Sequence, residues 1–287
     1  MKRLIDSVRA ASLDSEKRDS AYALYDFVQE DTNKSGALYE ELLDISFDAI
    51  ASEADAGIVQ TFIDIITSLV TFGDDQDPQN GEGSSQYMFT NKILQDRENK
   101  FGKLIEALVP RERTMVRVDT IALLRTLLDN RQEEMEAALG SIPMGMQTLV
   151  DMLDDEREEV KYEMLILLLQ LTETNKELQT FLAFADGFTR LFQIINEDRN
   201  MDVVVLDCLT IMSNMLANNK TTQKMFLIQP RVFESLQQIL SLPLHDATEG
   251  IKTVDLSSCS NEKQQSILLV LEILSSFVSG ICPTQIY

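Results

Sequence analysis

The residues able to do chemistry are few and far apart. One histidine, His245, stands in a polar stretch, where a lone imidazole has no partner for metal binding or nucleophile activation. The three cysteines, Cys208, Cys259 and Cys282, have neither zinc spacing nor the density of a disulfide framework, and they fit a reducing compartment. No Gly-x-Gly-x-x-Gly or Gly-Lys-Ser/Thr occurs to cradle a phosphate. The acidic segment from Gly73 to Ser85 fails the calcium-loop test. With Gly81 as the sixth position, the first and third are Gln76 and Pro78, where carboxylates are required. The run Asp154-Asp155-Glu156-Arg157-Glu158-Glu159 reads as a polar turn with acids favourably placed at a helix N-terminus, or as an acidic patch for a basic partner. These residues give no catalytic, cofactor or metal site, and the expectation is a protein that is not an enzyme, without a cofactor.

The elements that must carry such a surface are helices. Leu, Ile, Met, Glu, Asp and Gln dominate, and Gly (11) and Pro (6) are scarce. Almost no segment alternates with period two, so little or no strand is expected. Two combs run through the second half. Leu104, Leu149, Leu191 and Leu236 each open an apolar five-residue block, and Asn130, Asn175 and Asn219 each close an apolar helical run. Periods near 44 residues with helical texture mark armadillo or HEAT units, which bury their apolar faces only by stacking. The fold class expected is all-α, an armadillo/HEAT-type right-handed α-solenoid.

One such solenoid is expected over residues 1–287. Residues 1–72 form less regular N-terminal helices, with Asp14 or Ser15 capping the second. A mobile acidic loop follows over 73–86, then regular repeats over 87–240, then a loop and closing helix over 241–287. Asn175, at the end of the run that starts at Met164, can adopt the left-handed cap conformation. Met164 to Leu169 is apolar all round and marks a helix buried on several sides.

Charge narrows the partners. Lys and Arg number 25 against 47 Asp and Glu, a net −22, so nucleic acid and anionic lipid are repelled on average. Neither a signal peptide nor a run of about 20 apolar residues is present, so membrane contact is expected only through protein partners.

The segment Pro143-Met144-Gly145, then Leu149-Val150-Asp151-Met152-Leu153 and Arg157-Glu158, resembles one repeat of the globular head of Golgi vesicle-tethering factors, the general vesicular transport factor family. The likeness continues through Leu167-Leu168-Leu169, Asn175, Gln179, Phe184, Phe188 and Ile194-Ile195 to Cys208, Asn214, Asn218-Asn219, Gln223 and Phe226. The resemblance implies an armadillo-like head acting in ER-to-Golgi and intra-Golgi traffic, cytoplasmic and peripheral on Golgi and ER–Golgi vesicle membranes. It implies binding to a Rab-family GTPase, with SNARE or coat proteins as further partners and a homodimer as the assembly. It does not assign the partner-binding residues. The competing classes are an armadillo-type adaptor or co-chaperone and a formin-type GTPase-binding armadillo domain. Adaptors that hold basic peptides use Trp/Asn ladders, and this chain has no Trp.

Overall fold

The computed structural model of the protein describes residues 1–31, 34–72, 83–197, 203–229, 232–240, 244–246, 252–254 and 259–278. The acidic segment expected to be a mobile loop falls at 73–82 outside the described residues, apart from its last positions. Pro230, Pro243 and Cys282 also lie outside them.

The sixteen described helices run α1 (Lys2–Ala10), α2 (Asp14–Glu30), α3 (Ala37–Ser52), α4 (Ala56–Val70), α5 (Ser85–Gln95), α6 (Gly102–Ala107), α7 (Thr114–Asn130) and α8 (Gln132–Ser141). After them come α9 (Gly145–Asp151), α10 (Glu158–Thr174), α11 (Lys176–Phe184), α12 (Gly187–Glu197), α13 (Val203–Leu216), α14 (Lys220–Leu227), α15 (Val232–Leu240) and α16 (Asn261–Val278). A π-helical turn at Arg97–Phe101 leads into α6, and a 3-10 turn at Met152–Asp154 extends α9. This is the all-α, armadillo-like class expected from the combs.

The leucine comb maps onto one helix of each repeat. Leu104 and Ile105 on α6, Leu149 and Val150 on α9, Leu191 and Ile195 on α12, and Leu236 and Ile239 on α15 are all buried. The longer apolar helices α7, α10 and α13 follow, each with six or seven buried apolar side chains. On α10, Met164, Leu165, Leu167 and Leu168 are buried, while Ile166 and Leu169 are half-buried. Cys208 is a buried core residue on α13.

The helices gather into two compact units. Unit 1 comprises Met1–Leu149 and Arg157–Glu163; unit 2 comprises Val150–Glu156 and Met164–Tyr287. In unit 1, α4 is the hub, packed against α2, α3, α5 and α7. Its sequence explains this. Ile58, Val59, Phe62, Ile63, Ile65, Ile66, Leu69 and Val70 cover most of its circumference, and such a helix is stable only when surrounded. Asp55 starts it, its Oδ1 accepting the Ile58 N–H at 3.1 Å. In unit 2, α13 is the hub, packed against α12 and α16. Phe226 of α14 joins its core, edge-to-face with Phe188 at 5.0 Å and stacked on Phe277 at 5.4 Å.

Three local expectations are corrected. The cap of α2 is Leu13, with no side-chain hydrogen bond, so Asp14 and Ser15 lie inside the first turn. There Asp14 interacts favourably with the positive end of the helix dipole without capping it. Asn175 does not take the left-handed cap. Asn175 (φ −85°) and Asn219 (φ −118°) are N-caps of the helices that follow. Asn130 ends α7, buried, and donates to the Val70 carbonyl at 2.8 Å and the Thr90 hydroxyl at 3.0 Å. Among the described residues other than glycine, the left-handed positions are Met144, Asp186 and Asn218. Finally, the segment read as a loop over 241–262 contains an antiparallel hairpin, β1 (Leu244–Asp246) and β2 (Lys252–Val254), with Leu244 opposite Val254. His245 sits on β1.

Candidate interaction surfaces

The acidic residues divide by what surrounds them. Along the outer side of α3 almost every carboxylate has a base. Glu40 pairs with Lys92, Glu41 with Arg9, Asp44 with Lys100 at 2.9 Å and Asp48 with Lys103 at 3.4 Å. Just beyond the helix, Glu53 pairs with Lys17 at 2.8 Å and Asp55 with Arg18. Arg113 adds bonds to the Glu53 and Ala54 carbonyls at 3.1 and 3.0 Å. Exposed pairs of this kind are worth little each, typically about 0–1 kcal/mol, so this edge ties helices together with its charge locally cancelled. The Asp154–Glu159 run is absorbed in a similar way. Asp154 lies in the 3-10 turn and pairs with Arg190 at 2.8 Å, Arg190 also reaches Asp151 at 3.1 Å, and Glu158 and Glu159 form the first turn of α10. The polar-turn reading of that run stands.

The α4/α7 face of unit 1 is different. Asp64 on α4 and Asp119 on α7 are both half-buried and close enough to repel one another. Burial first, and the Asp119 charge second, push the Asp64 carboxyl up to about 6. Burial also raises Asp119, while a hydrogen bond from Gln60 opposes that rise. Asp119 Oδ2 is buried with no hydrogen-bond partner among the described residues. Counting 44 residues on from Asp119 gives Glu163, bound to Arg125 at 2.9 Å within the same unit. A further 44 gives Asp207 on α13 of unit 2, likewise raised by burial. One acidic position thus recurs on each long apolar helix. Composition alone hides it, because the leucine comb lies on the shorter helices.

The chemistry available is recognition. Among the described residues no three His, Cys, Asp or Glu side chains converge to hold a metal, and no helix is long and apolar enough to cross a membrane. Stacked helices at this period place the chain in the class of helical-repeat proteins.

Comparison with known proteins gives that class its relatives. The chain is 27% identical over 233 residues to general vesicular transport factor p115 of Bos taurus, covering 79% of this chain and 24% of p115. It is 34% identical over 131 residues to the intracellular protein transport protein USO1 of Saccharomyces cerevisiae, covering 45% of this chain and 7% of USO1. No protein-family model matches the chain. Among solved structures, that of Uso1-2 superposes with TM-score 0.78 at 23% identity, over 98% of this chain and 44% of that one. A designed armadillo repeat protein superposes with TM-score 0.62 at 15% identity, over 95% of this chain and 98% of that one. These two likenesses carry the fold. The resemblance to vesicle-tethering factors read from the residues is borne out: the relatives by sequence are vesicular transport factors, not enzymes, and the fold is armadillo-like. The chain spans about a quarter of the length of the p115 it matches.

Proposed function

We propose that the chain is the armadillo-like part of a vesicle-tethering factor acting in ER-to-Golgi and intra-Golgi traffic, peripheral on those membranes through its protein partners. The carrying observation is the similarity to p115 over 233 residues. In this reading the chain binds the GTP form of a Rab-family GTPase. A GTPase orders its switch loops according to nucleotide, so an effector discriminates between the two forms. SNARE or coat proteins are further partners, and a homodimer is the proposed assembly.

The α4/α7 face is the surface where a basic partner gains most. Its carboxylates are not neutralised as those along α3 are, and partial burial strengthens their field. Charge of this kind acts mainly on the association rate. Stopped-flow association of the GTP-analogue-loaded Rab should slow as salt rises, and slow further in the double variant Asp64→Asn/Asp119→Asn. An association rate unmoved by both salt and the double substitution would remove this face from the interface.

A further inference from the structure

We propose that unit 2 carries a docking surface for an acidic amphipathic helix of a partner protein, formed by α11 and α14. Residues four apart on a helix share a face. On α11, Lys176, Thr180 and Phe184 form such a line. On α14, Lys220, Lys224 and Ile228, the last at the helix's C-cap, form the same line 44 residues further on. The two helices pack side by side, and Asn219 Nδ2 donates to the Thr180 hydroxyl at 3.0 Å between them. Lys176, Glu177, Thr180, Asn218, Asn219 and Lys220 line one depression there, two ammonium groups with one carboxylate. Each line therefore has a cationic end and an apolar end, about 12 Å apart at a rise of 1.5 Å per residue.

Both ends are unusual for this molecule. Phe184 is 68% and Ile228 80% exposed, and Phe181 and Leu227 on the same two helices are also exposed, so both lines end in apolar side chains open to solvent. Bases are scarce in a chain of net charge −22, and most described ones are spent on carboxylates or carbonyls. Lys176, Lys220 and Lys224 have no ion pair among the described residues. Glu173 and Glu177, the nearest acids along the chain, do not engage them. The matching positions on α8 of unit 1 are Gln132, Glu136 and Gly140, neither cationic nor apolar, so the pattern is not a general consequence of the repeat.

Charge complementarity selects the occupant. Three free ammonium groups next to exposed Phe and Ile match a segment with carboxylates at one end and Leu, Phe or Met at helical spacing at the other. A helix suits this surface better than an extended peptide. α11 and α14 present no unpaired sheet edge, and a helix satisfies its own backbone hydrogen bonds. An anionic bilayer is disfavoured by the field of the whole chain. The proposal is independent of the GTPase reading.

The test is selection of helical peptides from an unbiased phage library on the immobilised full chain, followed by anisotropy titration of the best synthetic peptide. Selected sequences should be acidic with apolar residues at helical spacing. Their affinity should fall roughly tenfold or more in Lys176→Glu/Lys220→Glu/Lys224→Glu, and fall separately in Phe184→Ser/Ile228→Ser. Lys2→Glu/Arg3→Glu/Arg111→Glu makes the same net-charge change on unit 1 and should leave binding nearly unchanged. All six lysine and arginine positions are exposed, and circular dichroism checks that each variant keeps its helix. Failure to select acidic peptides, equal binding by all variants, or lysine-dependent binding to mixed phosphatidylcholine–phosphatidylserine vesicles without peptide binding would each overturn the proposal.

Discussion

Asp64 is an acid whose environment changes its chemistry. Its carboxyl is raised to about 6 by burial and by Asp119, against an ordinary value near 3.8. A carboxyl raised on folding binds its proton more tightly in the native state than in the unfolded chain. Stability therefore falls as pH rises from about 4 to 6, and the penalty is fully present at pH 7. Its ceiling is about 3 kcal/mol, reduced by solvent screening because the group is partly exposed. Asp64→Asn should stabilise the protein at pH 7 and flatten the pH dependence of its melting temperature between pH 4 and 6. An unchanged profile would place Asp64 in water. A second residue-scale constraint is Gly187, at the start of α12 beside the left-handed Asp186. A Cβ there would lie 2.6 Å from the Leu182 carbonyl oxygen and 2.7 Å from Leu182 Cγ. Because one of those atoms is backbone, Gly187→Ala should destabilise by about 1–3 kcal/mol, seen as a lower denaturant midpoint at unchanged slope. Neither effect is legible in the sequence. Asp64 looks like one more solvated acid until α7 is packed over it, and Gly187 looks like an ordinary turn glycine.

At the scale of elements, the helices and their apolar faces were legible because burial writes its period directly into the chain. The N-terminal helices expected over 1–72 include α3 and α4, where Leu42, Leu43, Phe47, Ile58, Phe62, Ile66 and Leu69 are all buried. Leu168 lies at 0% exposure on α10, so Leu168→Ala should cost roughly 2–5 kcal/mol. A melting temperature within error of the parent would contradict that placement. The asparagine comb was legible as spacing but not as role. Asn serves left-handed C-caps and helix N-caps alike, and only the turn geometry chooses between them. Asn219 does two jobs: Oδ1 accepts from the Thr221 and Thr222 N–H groups at 3.2 and 3.3 Å, and Nδ2 donates to Thr180. Asn219→Asp should keep the cap and lose only the bridge, whereas Asn219→Ala should lose both, at a cost of about 1–2 kcal/mol. Equal stability of the two variants would mean that the cap contributes nothing. The β1–β2 hairpin escaped notice because three-residue strands are too short for period-two alternation to register.

For the whole molecule, the repeat period led to the armadillo-like class and the residues of the repeats led to vesicular transport relatives. The surfaces were not visible in the same way. A solenoid's binding residues are those the core does not use, and they carry no period until the helices are in register. With the register known, 44-residue steps connect Asp119, Glu163 and Asp207 as acids, and Lys176 with Lys220 and Phe184 with Ile228 as a basic and apolar edge. A strongly acidic chain thus presents partly buried carboxylates on one set of helices and, on another, lysines with no ion pair among the described residues. In the proposed function the chain reads the nucleotide state of a Rab-family GTPase. Isothermal titration calorimetry of the purified chain with ER-to-Golgi Rab proteins, loaded with a GTP analogue or with GDP, tests it most directly. The account predicts saturable binding of the analogue-loaded form and at least roughly tenfold weaker binding of the GDP form, a difference of about 1.4 kcal/mol. Identical affinities for the two forms, or no heat of binding at high micromolar concentration, would contradict it.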